Sequence, residues 1–274
     1  MCVPGCMETV TERLSRRSFF KGAGALALAG GGAAAAPVAP ARAATQFSQV
    51  IDLTHTFSPE FPTFFGIPGI EQETMYTFDE AGFNMKRWSL VEHAATHMDA
   101  PIHFSKEAQS AEEVPVDNLV VPLAVIDIRE KADGNPDAQV TPDDIKSWEA
   151  ANGPIPERAC VAMNSGWADH VGNPGKFTGK DDDGVFHFPG IHVEAAQYLL
   201  EETTAIGLAV DTLSLDHGPS QSFDTHYAWL PTNRWGLENL ANLSALPPVG
   251  ATLVAGTPKV AGATGGPSRL IALV

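Results

Sequence analysis

Apolar residues in this chain come in short, nearly unbroken runs separated by polar and turn-forming stretches. Residues 50–53, 86–91, 120–128, 159–164, 205–210, 252–255 and 270–274 have strand length. Several are continuous in Val, Ile, Leu and Ala, as expected of strands covered on both faces. Two helices are signalled. Thr141-Pro142-Asp143-Asp144 puts a capping Thr before a Pro at the first helical position, with acids in the first turn. That helix is predicted to run to about residue 151 and end before Gly153. Ala196, Leu199 and Leu200 share one side of a second helix over residues 193–202. A third, shorter helix is expected over residues 236–243. Strands outnumber helices, which is the pattern of an α/β domain with a β-rich core. Between them, residues 166–190 read as a long polar loop, with Asp181-Asp182-Asp183 as its solvated tip.

The first 43 residues differ in character. Ser15-Arg16-Arg17-Ser18-Phe19-Phe20-Lys21 has the form of a twin-arginine export signal. A weakly apolar Ala/Gly stretch follows, and Ala41-Arg42-Ala43 gives a small-x-small cleavage pattern. The stretch is too short and too poor in Leu, Ile and Val for a membrane anchor. The expectation is a signal peptide over residues 1–43 and one mature domain over 44–274, exported folded to the periplasm or beyond.

Cleavage at that point changes the charge. The whole chain carries 17 basic and 33 acidic residues; the leader takes five basic and two acidic ones, leaving 12 and 31, a formal −19. Nucleic acid and anionic membrane surfaces are thereby excluded as partners. Cys2 and Cys6 leave with the leader, so Cys160 stands alone in an apolar run and reads as a small core residue.

The chemistry is concentrated in residues 93–103, His-Ala-Ala-Thr-His-Met-Asp-Ala-Pro-Ile-His. In extended chain His97 and Asp99 point to one face, and His93 reaches them across a helical turn or a tight bend. Pro101 disfavours a helical Ala100, so the segment turns there. His93, His97 and Asp99 have the types and spacing of divalent-metal ligands. His103, four residues beyond, can serve the same site as a free imidazole. Single histidines are usually solvated or hydrogen-bonded, but three of the nine His beside a carboxylate would be poorly paired without an ion. In the distal half, His226 and Glu238 are candidate further ligands, only a little ahead of His187, His192 and His217.

The run His93-x-x-x-His97-x-Asp99-Ala-Pro-x-His103 resembles the signature of the cyclase-family metal hydrolases, which include bacterial kynurenine formamidases and isatin hydrolases. The resemblance continues through Ile51-Asp52-Leu53-Thr54, residues 122–128, and Asp211-Thr212-Leu213-Ser214-Leu215-Asp216-His217, and so spans nearly all of residues 50–274. It implies a swivelling β/β/α fold, usually dimeric or tetrameric, with His93, His97 and Asp99 on a metal, Zn²⁺ or Mn²⁺. It further implies that His226 and Glu238 complete a second metal position and that His103 is the general acid/base. Family members commonly carry Gly where this chain has Ala95, which implies a strained or altered turn.

The expected activity is metal-assisted hydrolysis of a C–N bond in a small amide, formamide or lactam, with His103 moving the proton. Phe64 and Phe65, in a loop after Pro62, and Trp88 are candidate walls for a flat substrate; Phe57 and Phe61 read as core. The competing readings are a lactone or ester hydrolase on the same site, and a non-catalytic periplasmic binder of metal or a small ligand. The binder has no use for the free imidazole of His103.

Overall fold

Thirteen strands form within residues 47–274, the part of the chain that this computed structural model describes. They are β1 (Val50–Asp52), β2 (Ile70–Tyr76), β3 (Met85–Leu90), β4 (His97–Asp99), β5 (Val120–Asp127), β6 (Gln139–Val140), β7 (Cys160–Asn164), β8 (Gly190–Ile191), β9 (Gly207–Val210), β10 (Trp235–Glu238), β11 (Ala251–Gly256), β12 (Gly265–Pro267) and β13 (Arg269–Leu273). The export segment and the boundary at Ala43 lie outside the described residues. Every predicted strand run contains one of these strands, within one or two residues at most ends.

Nine strands make one curled sheet in the order β1-β13-β11-β5-β7-β9-β10-β4-β12. Its centre, β5-β7-β9-β10, is parallel, and antiparallel strands extend it on both sides. Parallel neighbours need crossovers. Helix α1 (Pro142–Asn152) lies between β5 and β7, and α2 (Val193–Glu202) between β7 and β9. A short helix, α3 (Asp224–Trp229), precedes β10. α1 begins as its sequence predicts: Thr141 and Asp144 form a reciprocal capping box, and Gly153 at φ 90° ends the helix.

Two-sided burial accounts for the unbroken apolar runs. Ala124, Ile126, Val161, Met163, Leu208 and Val210 pack with Ile145 and Trp148 of α1 and with Ala195 and Leu199 of α2. Their sequence neighbours Leu123, Val125, Cys160, Ala162 and Ala209 pack in a second core with Leu253, Ala255, Leu270 and Ala272. The sheet thus curls over and covers its own second face. Burial pushes the Cys160 thiol well up, so it packs rather than reacts.

Residues 236–243 do not form the expected helix. Trp235–Glu238 is an interior strand, and only a 3-10 turn, Leu243–Ala245, follows. Apolar Trp235, Leu237, Leu240 and Leu243 suit either period, and the neighbour decides. Gly207 faces Trp235 across β9, and a Cβ there would lie 2.2 Å from the indole ring. The bare backbone lets the indole bury fully and donate its N–H to the Asn118 carbonyl at 3.1 Å.

The 166–190 stretch is also more ordered than a loop. It holds a 3-10 turn (Trp167–His170) and a short helix (Pro174–Thr178), which bury Phe177 and Phe188. Asp181, Asp182 and Asp183 stay exposed at its tip. β2 and β3 form a separate hairpin, exposed from Glu71 onward. Among the described residues no helix is long and apolar enough to cross a membrane.

Candidate metal centre

Strand periodicity assembles the site. On β4, His97 and Asp99 face one way and Met98 enters the core between them. β10 runs antiparallel beside it, with Glu238 opposite His97, Leu237 opposite Met98 and Gly236 opposite Asp99. Glu238 therefore joins the face of His97 and Asp99, and Leu237 anchors the ladder beside Met98. On the other side, Gly265 of β12 pairs with Asp99. A Cβ on Gly265 would lie 2.7 Å from the His93 ring and 2.2 Å from the Met98 carbonyl, so this glycine makes room for His93. His93 arrives through a bend in which Ala95 takes φ 55°. The left-handed turn is kept although its residue is Ala, at the steric cost a Cβ carries there.

The facing atoms are close. His93 Nδ1 lies 2.6 Å from Asp99 Oδ1, and His97 Nε2 lies 3.2 Å from the same oxygen. His97 Nε2 is 3.3 Å from Glu238 Oε2. His226, on α3, places Nε2 3.2 Å from Glu238 Oε1 and 3.6 Å from Asp99 Oδ2. Two overlapping groups with metal-ligating geometry result, His93–His97–Asp99 and Asp99–His226–Glu238, joined by Asp99.

The hydrogen bonds behind these rings aim them inward. A carbonyl only accepts, so the contact of His97 Nδ1 with the Ala95 carbonyl at 2.8 Å puts the proton on Nδ1 and turns Nε2 to the site. His226 Nδ1 donates to Asp216 at 2.6 Å, with the same result. Thr264 gives its hydroxyl proton to Glu92 at 2.6 Å and so accepts from His93 Nε2 at 2.8 Å. His93 Nδ1 is left facing the Asp99 carboxylate, where either a second ring proton or a metal ion would bridge the two. Leu215 N–H donates to Glu238 Oε1 and holds that side chain.

A divalent cation fits this donor set. His97 Nε2 and Asp99 Oδ2 are buried without a hydrogen-bond partner, a costly state that coordination relieves. The fields also demand positive charge. Burial opposes a charged His97, but Asp99 and Glu238 outweigh it and push its pKa up to about 10. Burial is likewise outweighed at His226, raised well above the usual value by Asp216, Asp99 and Glu238. Asp99 is held well below the carboxylate range, again against burial, by His226, His93 and His97. An ion would displace the protons that otherwise supply this charge.

His103 stands beside the ligand cluster with its ring on that of His93. Burial, its largest influence, lowers its pKa to about 4, so the ring is neutral near pH 7. It opens on a cavity of about 240 Å³ whose wall includes Phe64, Phe65, Phe104 and Phe223 and whose base includes His93, His226 and Glu238. Of the three aromatic residues expected to bind substrate, Phe64 and Phe65 line this space and Trp88 does not. Trp88 is 64% exposed on the β2–β3 hairpin, because neither face of that hairpin is covered. Phe61 is core, packed edge-on to Phe177. The supports Asp216, Thr264 and Glu92 and the walls Phe104 and Phe223 escape the sequence reading. Only Asp216 carried a signal, as part of the 211–217 segment. His187, His192 and His217 take no part in either group.

Fold and site together define a class: a hydrolase-type candidate metal site set on the β10–β4 ladder of a curled α/β sheet. The chain belongs to the cyclase family, whose model, described as "Putative cyclase", matches residues 51–217. It is 32% identical to the isatin hydrolase of Roseibium aggregatum over 243 residues, covering 82% of this chain and 92% of that protein. It is 26% identical to the kynurenine formamidase of Salinibacter ruber over 228 residues, covering 81% and 96%. The crystal structure of an isatin hydrolase bound to the product analogue thioisatinate superposes with a TM-score of 0.78 at 31% identity, covering 82% of this chain and 92% of that one.

Proposed function

We propose that this chain is a metal-dependent hydrolase that opens a C–N bond, other than a peptide bond, in a small aromatic amide, formamide or lactam. One observation carries the reading: the imidazole of His103 stands beside the ligand cluster and opens on a cavity walled by phenylalanine rings. The relatives named isatin hydrolase and kynurenine formamidase support the C–N bond as target.

His93, His97, Asp99, His226 and Glu238 would hold one or two ions, and the N/O donor set suits Zn²⁺ or Mn²⁺. A divalent ion supplies Lewis-acid polarisation of a carbonyl oxygen and makes water acidic enough to attack near neutral pH. His103 takes the proton of the attacking water on a ring nitrogen and returns it to the leaving nitrogen. Phe64, Phe65, Phe104 and Phe223 exclude bulk water and hold a flat ring against the polar base. No protein nucleophile is needed.

The exposed hairpin, with Trp88 and Leu90 at its surface, supports a homodimer or homotetramer, because an isolated two-stranded hairpin is marginal in water. The twin-arginine pattern supports folded export to the periplasm. The test is turnover of isatin, N-formylkynurenine and formanilide by protein loaded with Zn²⁺ or Mn²⁺, against a lactone control. Hydrolysis of an amide member is expected, and fully loaded protein inert on all of them overturns the reading.

A further inference from the structure

The residue after Glu238 has no part in the chemistry above, yet it is tied to both ligand-bearing segments. Asn239 is 2% exposed and adopts φ 56°, a left-handed conformation that Asn tolerates better than most residues. Its backbone N–H donates to the Thr212 carbonyl at 2.9 Å, and its own carbonyl accepts from the Thr96 hydroxyl at 2.6 Å. Its side-chain Nδ2 donates to the Ala95 carbonyl at 2.9 Å. That carbonyl also accepts from His97 Nδ1 at 2.8 Å. A carbonyl oxygen has two lone pairs, and here it accepts from two side chains. The flipped amide would set Oδ1 against the carbonyl oxygen, so the contact fixes the orientation of the carboxamide.

We infer that Asn239 is a positioning residue for the metal centre: its carboxamide pins the Ala95 carbonyl, and that carbonyl holds the proton of His97 on Nδ1 and its Nε2 lone pair toward the ligand cluster. The pin also secures the left-handed bend that a Cβ at position 95 strains. It crosses from the strand of Glu238 to the segment of His93 and His97, so it fixes the spacing of the two ligand groups. The inference rests on the reading that the cluster binds a divalent ion.

Two variants test it. Asn239→Asp keeps the shape and replaces the donor with an acceptor. Asn239→Gly keeps the left-handed backbone and removes the side chain. Asn242→Gly is the control, since Asn242 is also left-handed but donates to the Asp52 carbonyl away from the site. Zn²⁺ affinity is measured by chelator competition on protein whose circular dichroism matches wild type. The expected loss is roughly 10- to 100-fold for both Asn239 variants, as for other groups that orient a metal ligand, and none for the control. Long-range ¹H–¹⁵N spectra of Zn²⁺-loaded protein should show one His97 tautomer, protonated at Nδ1, in wild type and its loss or broadening in the variants. A purely structural Asn239 would lower the melting temperature and leave affinity and tautomer unchanged, and that result overturns the inference. Wild type that binds no Zn²⁺ or Mn²⁺ overturns the metal reading itself, whereas wild type that binds alongside unaffected variants overturns only the role of Asn239.

Discussion

The imidazole of His103 lies flat on that of His93, with ring centroids 3.6 Å apart and 17° between the planes. One ring is bound into the ligand cluster through Asp99 and Thr264, and the other faces the cavity. His103→Ala should therefore keep its ion and lose turnover by about 10²- to 10⁴-fold, the usual scale for acid–base loss. Metal analysis beside kcat measures both. Loss of the ion in this variant would make His103 a ligand, and a pure binder would show no turnover even in wild type.

Asp99 belongs to both ligand groups, whereas Glu238 belongs to one. Asp99→Ala should abolish binding at both positions. Glu238→Ala should lose one position and retain the His93–His97–Asp99 group. Metal content per chain after dialysis at fixed free Zn²⁺ distinguishes the cases. Equal content in wild type and Glu238→Ala would remove Glu238 from the ligand set.

Phe64 stacks on Phe186 at 4.7 Å and sits 6.2 Å from Phe223. Phe64 and Phe223 line both the cavity beside His103 and a neighbouring cleft of about 420 Å³. Phe64→Ala should raise KM for an aromatic substrate by roughly tenfold, the worth of one aromatic contact, with kcat little changed. Steady-state kinetics on the best substrate checks it, and an unchanged KM removes Phe64 from the binding wall.

Asp211 is buried and accepts from the Ser165 hydroxyl and from the N–H groups of Ser165 and Trp167. Burial dominates those bonds and lifts its pKa from 3.8 to about 6. Between those two values the folded chain holds the proton and the unfolded chain does not, so this group's contribution to stability falls as pH rises through the window. Asp211→Asn should flatten that part of the stability profile, by up to roughly 3 kcal/mol. Urea unfolding at pH 4, 5, 6 and 7 measures the slope. An unchanged slope in the variant assigns the effect elsewhere.

Gly265→Ala sets a methyl against the Met98 carbonyl and the His93 ring. A backbone oxygen cannot swing aside, so a loss of about 1–3 kcal/mol is expected, together with weaker metal binding through displaced His93. Thermal melts and chelator competition read the two effects. A variant as stable and as tightly loaded as wild type would show that β12 does not shape the site.

Much of this was legible in the chain itself. The two-residue step from His97 to Asp99 placed both on one strand face, and the continuous runs marked strands buried on both sides. Glu238 was found as a candidate but set on a helix, because Trp235, Leu237 and Leu240 fit two periods and the arbiter, Gly207, is 28 positions from Trp235 in the chain. Thr264 and Glu92 were out of reach for a similar reason: single polar residues from remote segments meet only after β12 pairs with β4. Trp88 lies on the exposed hairpin and does not line the cavity beside His103, since aromatic character alone does not say where a strand sits in the fold.

The pairing of β4 with β10 has a consequence for quality control. Shifting β4 by a single position would bring Met98 to the coordinating face and turn His97 and Asp99 into the oily interior. A chain misthreaded there would lose the carboxylate common to both ligand groups, so a divalent cation would favour the correct register. Uptake of an ion would then double as a certificate of correct threading.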